Sequence, residues 1–233
     1  MRICIIPARG GSKRIPRKNI KDFWGKPMIA YSIKAALKSG CFDRVIVSTD
    51  DLEIAQVAKT FGAEVPFMRP DELANDYAGT LSVIKHAIEW FEEHESKPSE
   101  ICCLYATAPF VQASSIKQAY KQLQTTQADY CFSVTSFAFP IQRAIKITQQ
   151  QRIEMFFPEY FNTRSQNLEE AYHDAGQFYW GKAEAFKQLK PIFSEHASPF
   201  ILPRHLVQDI DTQEDWLRAE MMYQVLHKSG LFE

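Results

Sequence analysis

The chain has no excess of positive charge. Its 27 lysines and arginines face 28 aspartates and glutamates, for a formal balance of −1. General nucleic-acid binders are distinctly basic, so no nucleic-acid partner is expected. Long hydrophobic runs are also missing. Nothing approaches the ~18 uninterrupted apolar residues of a membrane span, and Met1 leads into a strand-like run with no leader before it. A cytoplasmic protein with no membrane partner is the expectation. Cysteine is scarce and odd in number. The five thiols show no CxxC spacing and no suitably spaced histidine pair accompanies them, which argues against a structural metal site. Cys4, Cys102, Cys103 and Cys131 lie in apolar, strand-like runs, as reduced and buried thiols would. Two nucleotide-binding signatures are absent too: the P-loop pattern and the GxGxxG turn.

What the chain does hold is concentrated at its start. Residues 2–19 read RICIIPARGGSKRIPRKN. An apolar run stops at Pro7, and a loop then gathers Arg9, Lys13, Arg14, Arg17 and Lys18 around Gly10 and Gly11. Like charges repel and glycine costs backbone entropy on folding, so the cluster calls for a counter-charge. A polyanion held against backbone amides supplies one, with Arg and Lys neutralising it. A nucleotide triphosphate is the expected anion.

A chain of 233 residues with 45% hydrophobic content suits one α/β domain over 1–233. Strand-like runs fall at 3–6, 45–47, 65–67, 101–105, 130–134, 177–180 and 206–210. Helical spacing links Ile29, Ile33, Ala36 and Leu37, and again Leu81, Ile84, Ile88 and Phe91, with Thr80 a candidate cap. Ser48 to Asp51 offers an N-cap for a helix through residue 61, stopped by Gly62. Further helices are expected over 116–123 and up to about residue 189. Thr212-x-x-Asp215 is a capping-box-like start for a last helix bearing Trp216, Ala219, Tyr223 and Leu226. This alternation predicts a mostly parallel, twisted sheet with helices on both faces, and a ligand beyond the carboxyl ends of the strands. Residues 137–172 break the pattern and read as an excursion from the sheet. Their aromatics (Phe156, Phe157, Tyr160, Phe161) suit a subunit interface or a satellite core under a loop equally.

Asp209 and Asp211 stand two apart on a segment read as extended, so both carboxylates can face one side. Mg²⁺ takes carboxylate oxygens together with substrate phosphates and fits such a pair. Acidic capping of the following helix is the other reading.

The loop ARGGSKRIPRKN resembles that of sugar nucleotidyltransferases, in particular the cytidylyltransferases that activate eight- and nine-carbon keto-sugar acids. VIVSTD at 45–50, RPDELA at 69–74 with Asp76, and DIDT at 209–212 resemble further segments of that family in the same order. The resemblance implies a Rossmann-like nucleotidyltransferase fold, CTP as substrate and Mg²⁺ on Asp209 and Asp211. It implies a homodimer, with residues 137–172 reaching the partner. Arg9, Gly10, Gly11, Ser12, Lys13 and Lys18 would hold the triphosphate, with Arg9 and Lys18 offsetting charge on departing pyrophosphate. Asn19 would lie near the ribose or base, and Arg69, Ala78 and Thr80 where cytosine and ribose are read. A solvated surface position stays open for Lys13 and a helix cap for Thr80.

Members of the family acting on sialic acid carry LLQPTSP and FRPNGAIY. Here residues 103–109 read CLYATAP and 172–179 read YHDAGQFY. The nucleotide side is kept and the sugar side rewritten. With Arg164-Ser165-Gln166, these segments resemble the branch acting on pseudaminic acid, a nine-carbon diamino keto-sugar acid. That implies a sugar pocket of Tyr105, Thr107, His173, Asp174 and Gln177. A packed strand-end pair is the other reading of Tyr105 and His173. Branches acting on sialic, legionaminic or eight-carbon acids are the alternatives, and a catalytically silent nucleotide-binding protein is a more distant one.

Overall fold

The computed structural model describes residues 1–75 and 78–230; Asp76 therefore lies outside the described residues. β1 (Arg2–Pro7) is buried along Ile3, Cys4, Ile5 and Ile6, the continuous apolar pattern of an inner parallel strand. A small hairpin follows, β2 (Asp22–Phe23) and β3 (Lys26–Pro27), turning through Trp24 and Gly25 at φ 53° and 76°. Next come α1 (Ile29–Ser39), β4 (Arg44–Ser48), α2 (Leu52–Thr60) and α3 (Thr80–His94). β5 (Glu100–Leu104), α4 (Ala113–Thr126) and β6 (Tyr130–Ser136) complete the first half of the sheet. After the excursion hairpin of β7 (Ile145–Ile147) and β8 (Ile153–Met155) come β9 (Tyr172–Lys182), α5 (Ala183–Lys187), β10 (Ala197–Ile201) and α6 (Gln213–Lys228).

The central sheet runs β10-β6-β9-β5-β1-β4. β1 is parallel to β4 and β5, and β10 is parallel to β6. β9 alone runs against its neighbours, wedged between β5 and β6. Side chains alternate across the pleat. Cys4, Ile6, Val47 and Leu104 pack with α1 and α4, while Ile3, Ile5, Ile46 and Ile101 pack with α3 and α5. A third cluster joins Ile15 of the cationic loop, Phe23 of the hairpin and Trp216, Ala219, Tyr223 and Leu226 of α6. The loop is thereby pinned at one point by an apolar anchor. All five cysteines are free and buried, and no described helix is long and apolar enough to cross a membrane.

In the central sheet two expected strands are absent, and one unexpected strand is present. At 65–67 only Glu64 bridges Ile46, because Pro66 has no amide to extend the ladder. Residues 206–210 follow a 3₁₀ turn, Arg204–Leu206, instead of forming a strand. The sixth strand is β10, whose Pro199 is tolerated because β10 lies at the sheet edge. The α6 capping box is as expected: Asp215 N–H donates to Thr212 Oγ1 at 3.2 Å, and Thr212 N–H donates to Asp215 Oδ2 at 2.8 Å. In the excursion, Phe139 is 81% exposed and Phe161 66%, so no satellite core forms there.

Asp51 caps α2, accepting from Ile54 N–H at 2.9 Å, and pairs with Arg17 at 2.5 Å. The hydrogen bond from the Arg17 guanidinium, helped by the helix amide, holds the Asp51 carboxyl down at about 2, from 3.8. Since the folded value is the lower one, this stabilisation is present above about pH 4 and is lost as pH falls toward 2. Asp51→Ala is expected to cost about 1–2 kcal/mol at pH 7, allowing for partial exposure. The deficit should shrink in thermal melts near pH 2.5; a deficit independent of pH would refute the assignment.

Candidate active site

A cavity of 690 Å³ opens beyond the carboxyl ends of β1 and β5. The loop supplies Arg9, Ser12, Lys13, Arg14, Lys18 and Asn19 to one side. Arg69, Ala78, Thr80, Tyr105 and Thr107 line the other, and Asp211 closes an edge. Four loop cations thus face one space, and the fifth does not. Arg17, at φ 55°, turns away to Asp51 and to Glu53 at 2.5 Å. Its charge holds the scaffold and is not offered to a ligand.

The two glycines differ from expectation in what they do. Neither lines this cavity. The Gly10 amide donates to Asp50 Oδ1 at 3.0 Å, and a Cβ there would stand 2.7 Å from Asp51 Oδ2. Gly10 is needed because the loop backbone passes tightly over the α2 cap. Asp51 is tied to Arg17 and the helix and cannot yield cheaply. Gly10→Ala should therefore cost about 1–3 kcal/mol and loosen the loop. Melting and CTP titration check this; a variant matching wild type in both would overturn it. Gly11 has open space around its Cβ position.

Asn19 is buried and joins the two ends of the loop. Its Nδ2 donates to Arg9 O at 2.9 Å, and its carbonyl accepts from Ile29 N–H at 2.8 Å. Arg69 is buried with its Nε on Ser48 Oγ at 3.1 Å and its Nη2 on the Ser48 carbonyl. Burial pushes its pKa down to about 10 against the opposing pull of Asp50, so it stays charged at neutral pH. Thr80 is not a cap, because α3 takes Gly79 as its N-cap. The Thr80 hydroxyl points to the Tyr105 hydroxyl at 3.5 Å.

A second cavity of 490 Å³ shares Asp211 with the first and is lined by His173, Asp174, Asp209 and Arg204, among others. The residues expected around a sugar are therefore split. Tyr105 and Thr107 belong to the first cavity, and His173 and Asp174 to the second. Tyr105 and His173 do not pack as a pair. The Tyr105 ring lies 5.3 Å from Tyr179, and the His173 ring lies edge-on to Phe137 at 4.8 Å. The Tyr179 hydroxyl donates to Asp174, so Thr80, Tyr105, Tyr179 and Asp174 bridge the two cavities. Gln177 lines neither cavity; it is buried with its Nε2 on the Leu206 carbonyl at 2.5 Å.

Asp211 is not a helix cap, since Thr212 and Asp215 fill that role. Its carboxylate draws Arg14 to 2.9 Å and Lys18 to 3.4 Å. Desolvation, and then the Asp211 charge, raise the Asp209 carboxyl above its ordinary range. Among the described residues no group of three or more His, Cys, Asp or Glu could hold a metal ion. The pair by itself would bind a divalent cation only alongside phosphate oxygens and water, which is the habit of Mg²⁺. An acid whose proton affinity is raised beside a second acid that attracts two cations fits such an ion. Arg14 carries no signal in residue order that separates it from Arg17; only folding divides them.

The chain matches a family model described as cytidylyltransferase over residues 3–228. It is 48% identical over 228 residues to a pseudaminic acid cytidylyltransferase of Campylobacter jejuni strain 81-176, covering 98% of each chain. It is 31% identical to a CMP-N,N'-diacetyllegionaminic acid synthase of Legionella pneumophila, covering 96% of each. A solved CMP:2-keto-3-deoxy-manno-octonic acid synthetase in complex with CTP shares the fold. Its TM-score is 0.69 at 18% identity, over 97% of this chain and 99% of that one.

Proposed function

The chain belongs to the cytidylyltransferase family, and from that premise we propose that it activates pseudaminic acid with CTP. The anomeric hydroxyl of the sugar attacks the α-phosphorus. A new P–O bond forms as the hydroxyl gives its proton to water, the bond from the α-phosphorus to the α–β bridging oxygen breaks, and CMP-sugar and pyrophosphate result. The observation that carries this reading is the meeting of a four-cation cavity with an acidic pair at Asp211. Arg9, Lys13 and Lys18 hold the triphosphate and offset charge on the leaving pyrophosphate. Arg69, clamped on Ser48, offers a fixed guanidinium to the nucleotide. Asp209 and Asp211 are the proposed holders of Mg²⁺, which when bound supplies positive charge to the phosphates. The near full-length likeness to a pseudaminic acid enzyme supports the choice of sugar.

The test is pyrophosphate release by the purified chain with CTP, Mg²⁺ and a panel of keto-sugar acids. Turnover should be fastest with pseudaminic acid. Release with sialic, legionaminic or 3-deoxy-octulosonic acid but not with pseudaminic acid would overturn the substrate and leave the reaction class. CTP binding without turnover on any sugar would favour a silent binding protein. We propose further that the enzyme acts in the cytoplasm, where free thiols stay reduced. The exposed Phe139, Ile147, Ile153 and Phe161 of 137–172 support a homodimer through that segment. Light scattering should then return twice the 26.9 kDa chain mass; a single chain mass would refute it.

A further inference from the structure

We infer that Arg204 receives the carboxylate of the sugar acid, in the cavity that adjoins the nucleotide cavity at Asp211. The inference rests on the proposed keto-sugar-acid substrate, whose carboxylate is fully charged at neutral pH. Such a group has to enter a space walled by Asp174, Asp209, Asp211 and Asp215. Four carboxylates would repel it unless the wall also offers an uncommitted cation.

Three of the four acids are already engaged. Asp174 accepts from the Tyr179 hydroxyl and from Gly176 N–H at 2.9 Å. Asp211 pairs with Arg14 at 2.9 Å, and Asp215 accepts from Thr212 at the head of α6. Of the two cavity arginines, Arg218 faces Asp215 and helps hold it ionised. Arg204 is exposed at the cavity, and its guanidinium forms no hydrogen bond or ion pair with a described residue. It is the wall's uncommitted cation. A planar guanidinium grips a carboxylate with two parallel hydrogen bonds, which an ammonium cannot do.

The backbone carrying Arg204 is firmly held. Leu202 N–H donates to Val134 O at 2.8 Å, and the Thr135 hydroxyl donates to Leu202 O at 2.9 Å. On the far side of the 3₁₀ turn, Gln177 Nε2 donates to Leu206 O at 2.5 Å. Gln177 is thus a positioning residue for Arg204, although it lines neither cavity.

The test is steady-state kinetics of the full chain with CTP, Mg²⁺ and pseudaminic acid, with each substrate varied in turn. Arg204→Ala should raise the sugar KM by roughly 10- to 100-fold and leave the CTP KM within about twofold. Arg204→Lys should fall between the two, and Gln177→Met should raise the sugar KM by a smaller factor at an unchanged CTP KM. With the sugar's carboxylate converted to a carboxamide, wild type and Arg204→Ala should bind alike. An unchanged sugar KM in Arg204→Ala, beside active wild type, overturns the inference and leaves the proposed function standing. Equal losses with acid and amide also overturn it. Wild type inactive on every keto-sugar acid overturns the proposed function, and the inference falls with it.

Discussion

Asp211→Ala is expected to lower pyrophosphate release by roughly 10³-fold, about 4 kcal/mol of transition-state stabilisation. The carboxylate stands on the shared wall of both cavities and is the point toward which Arg14 and Lys18 converge. Its removal would leave Asp209 as the single acid, removing one of the two proposed carboxylate ligands and weakening the hold on a divalent ion. The fold should survive, because the side chain is 38% exposed and the α6 capping box does not use it. Metal-free CTP binding gives the sharper readout. Removing an anion from the cavity proposed to hold the triphosphate, and releasing two cations, should leave that affinity equal or tighter. Near-normal turnover would reduce Asp211 to a structural partner of Arg14. Weaker metal-free CTP binding would indicate a collapsed loop instead.

Lys18→Met should lower kcat/KM by about 10²- to 10³-fold. Lys18 Nζ donates to the Ile210 carbonyl at 2.6 Å and lies 3.4 Å from Asp211 Oδ1. It therefore connects the first loop to the acidic segment 192 residues later. A cation held there can neutralise phosphate charge without reorganising during the reaction. Both kcat and the CTP KM should suffer, while the sugar KM changes little. Lys18→Arg keeps the charge but not the compact reach, so recovery should be partial. Turnover within about threefold of wild type in Lys18→Met would remove Lys18 from the transition-state account.

These residues differ in how they could be found. Arg9 and Lys18 sit in one contiguous motif that follows β1, and Arg69 sits in a second contiguous motif. Strand and helix periods over β1, α1, β4, β5 and α6 were equally plain, since each is a local run whose apolar spacing matches its burial. β10 escaped because an edge strand with a proline has no strong local pattern. The stretch at 206–210 misled because apolar spacing cannot register Pro203, which opens a 3₁₀ turn there. The antiparallel course of β9 was also hidden, because strand direction leaves no trace in side-chain periodicity.

Residue order is enough to expect the cationic loop, the acidic pair and most strands of the central sheet, because each depends on neighbours a few positions apart. It could not separate Arg14 from Arg17, two cations of the same loop. Folding turns Arg17 onto Asp51, and Arg14 into the cavity toward Asp211. Nor could it show that the Gly10 amide serves Asp50, or that Gln177 braces the turn bearing Arg204. Those outcomes depend on where β1, β4, β9 and the segment before α6 come together. Contact between groups 29 or more residues apart is a property of packed geometry, and no local pattern encodes it.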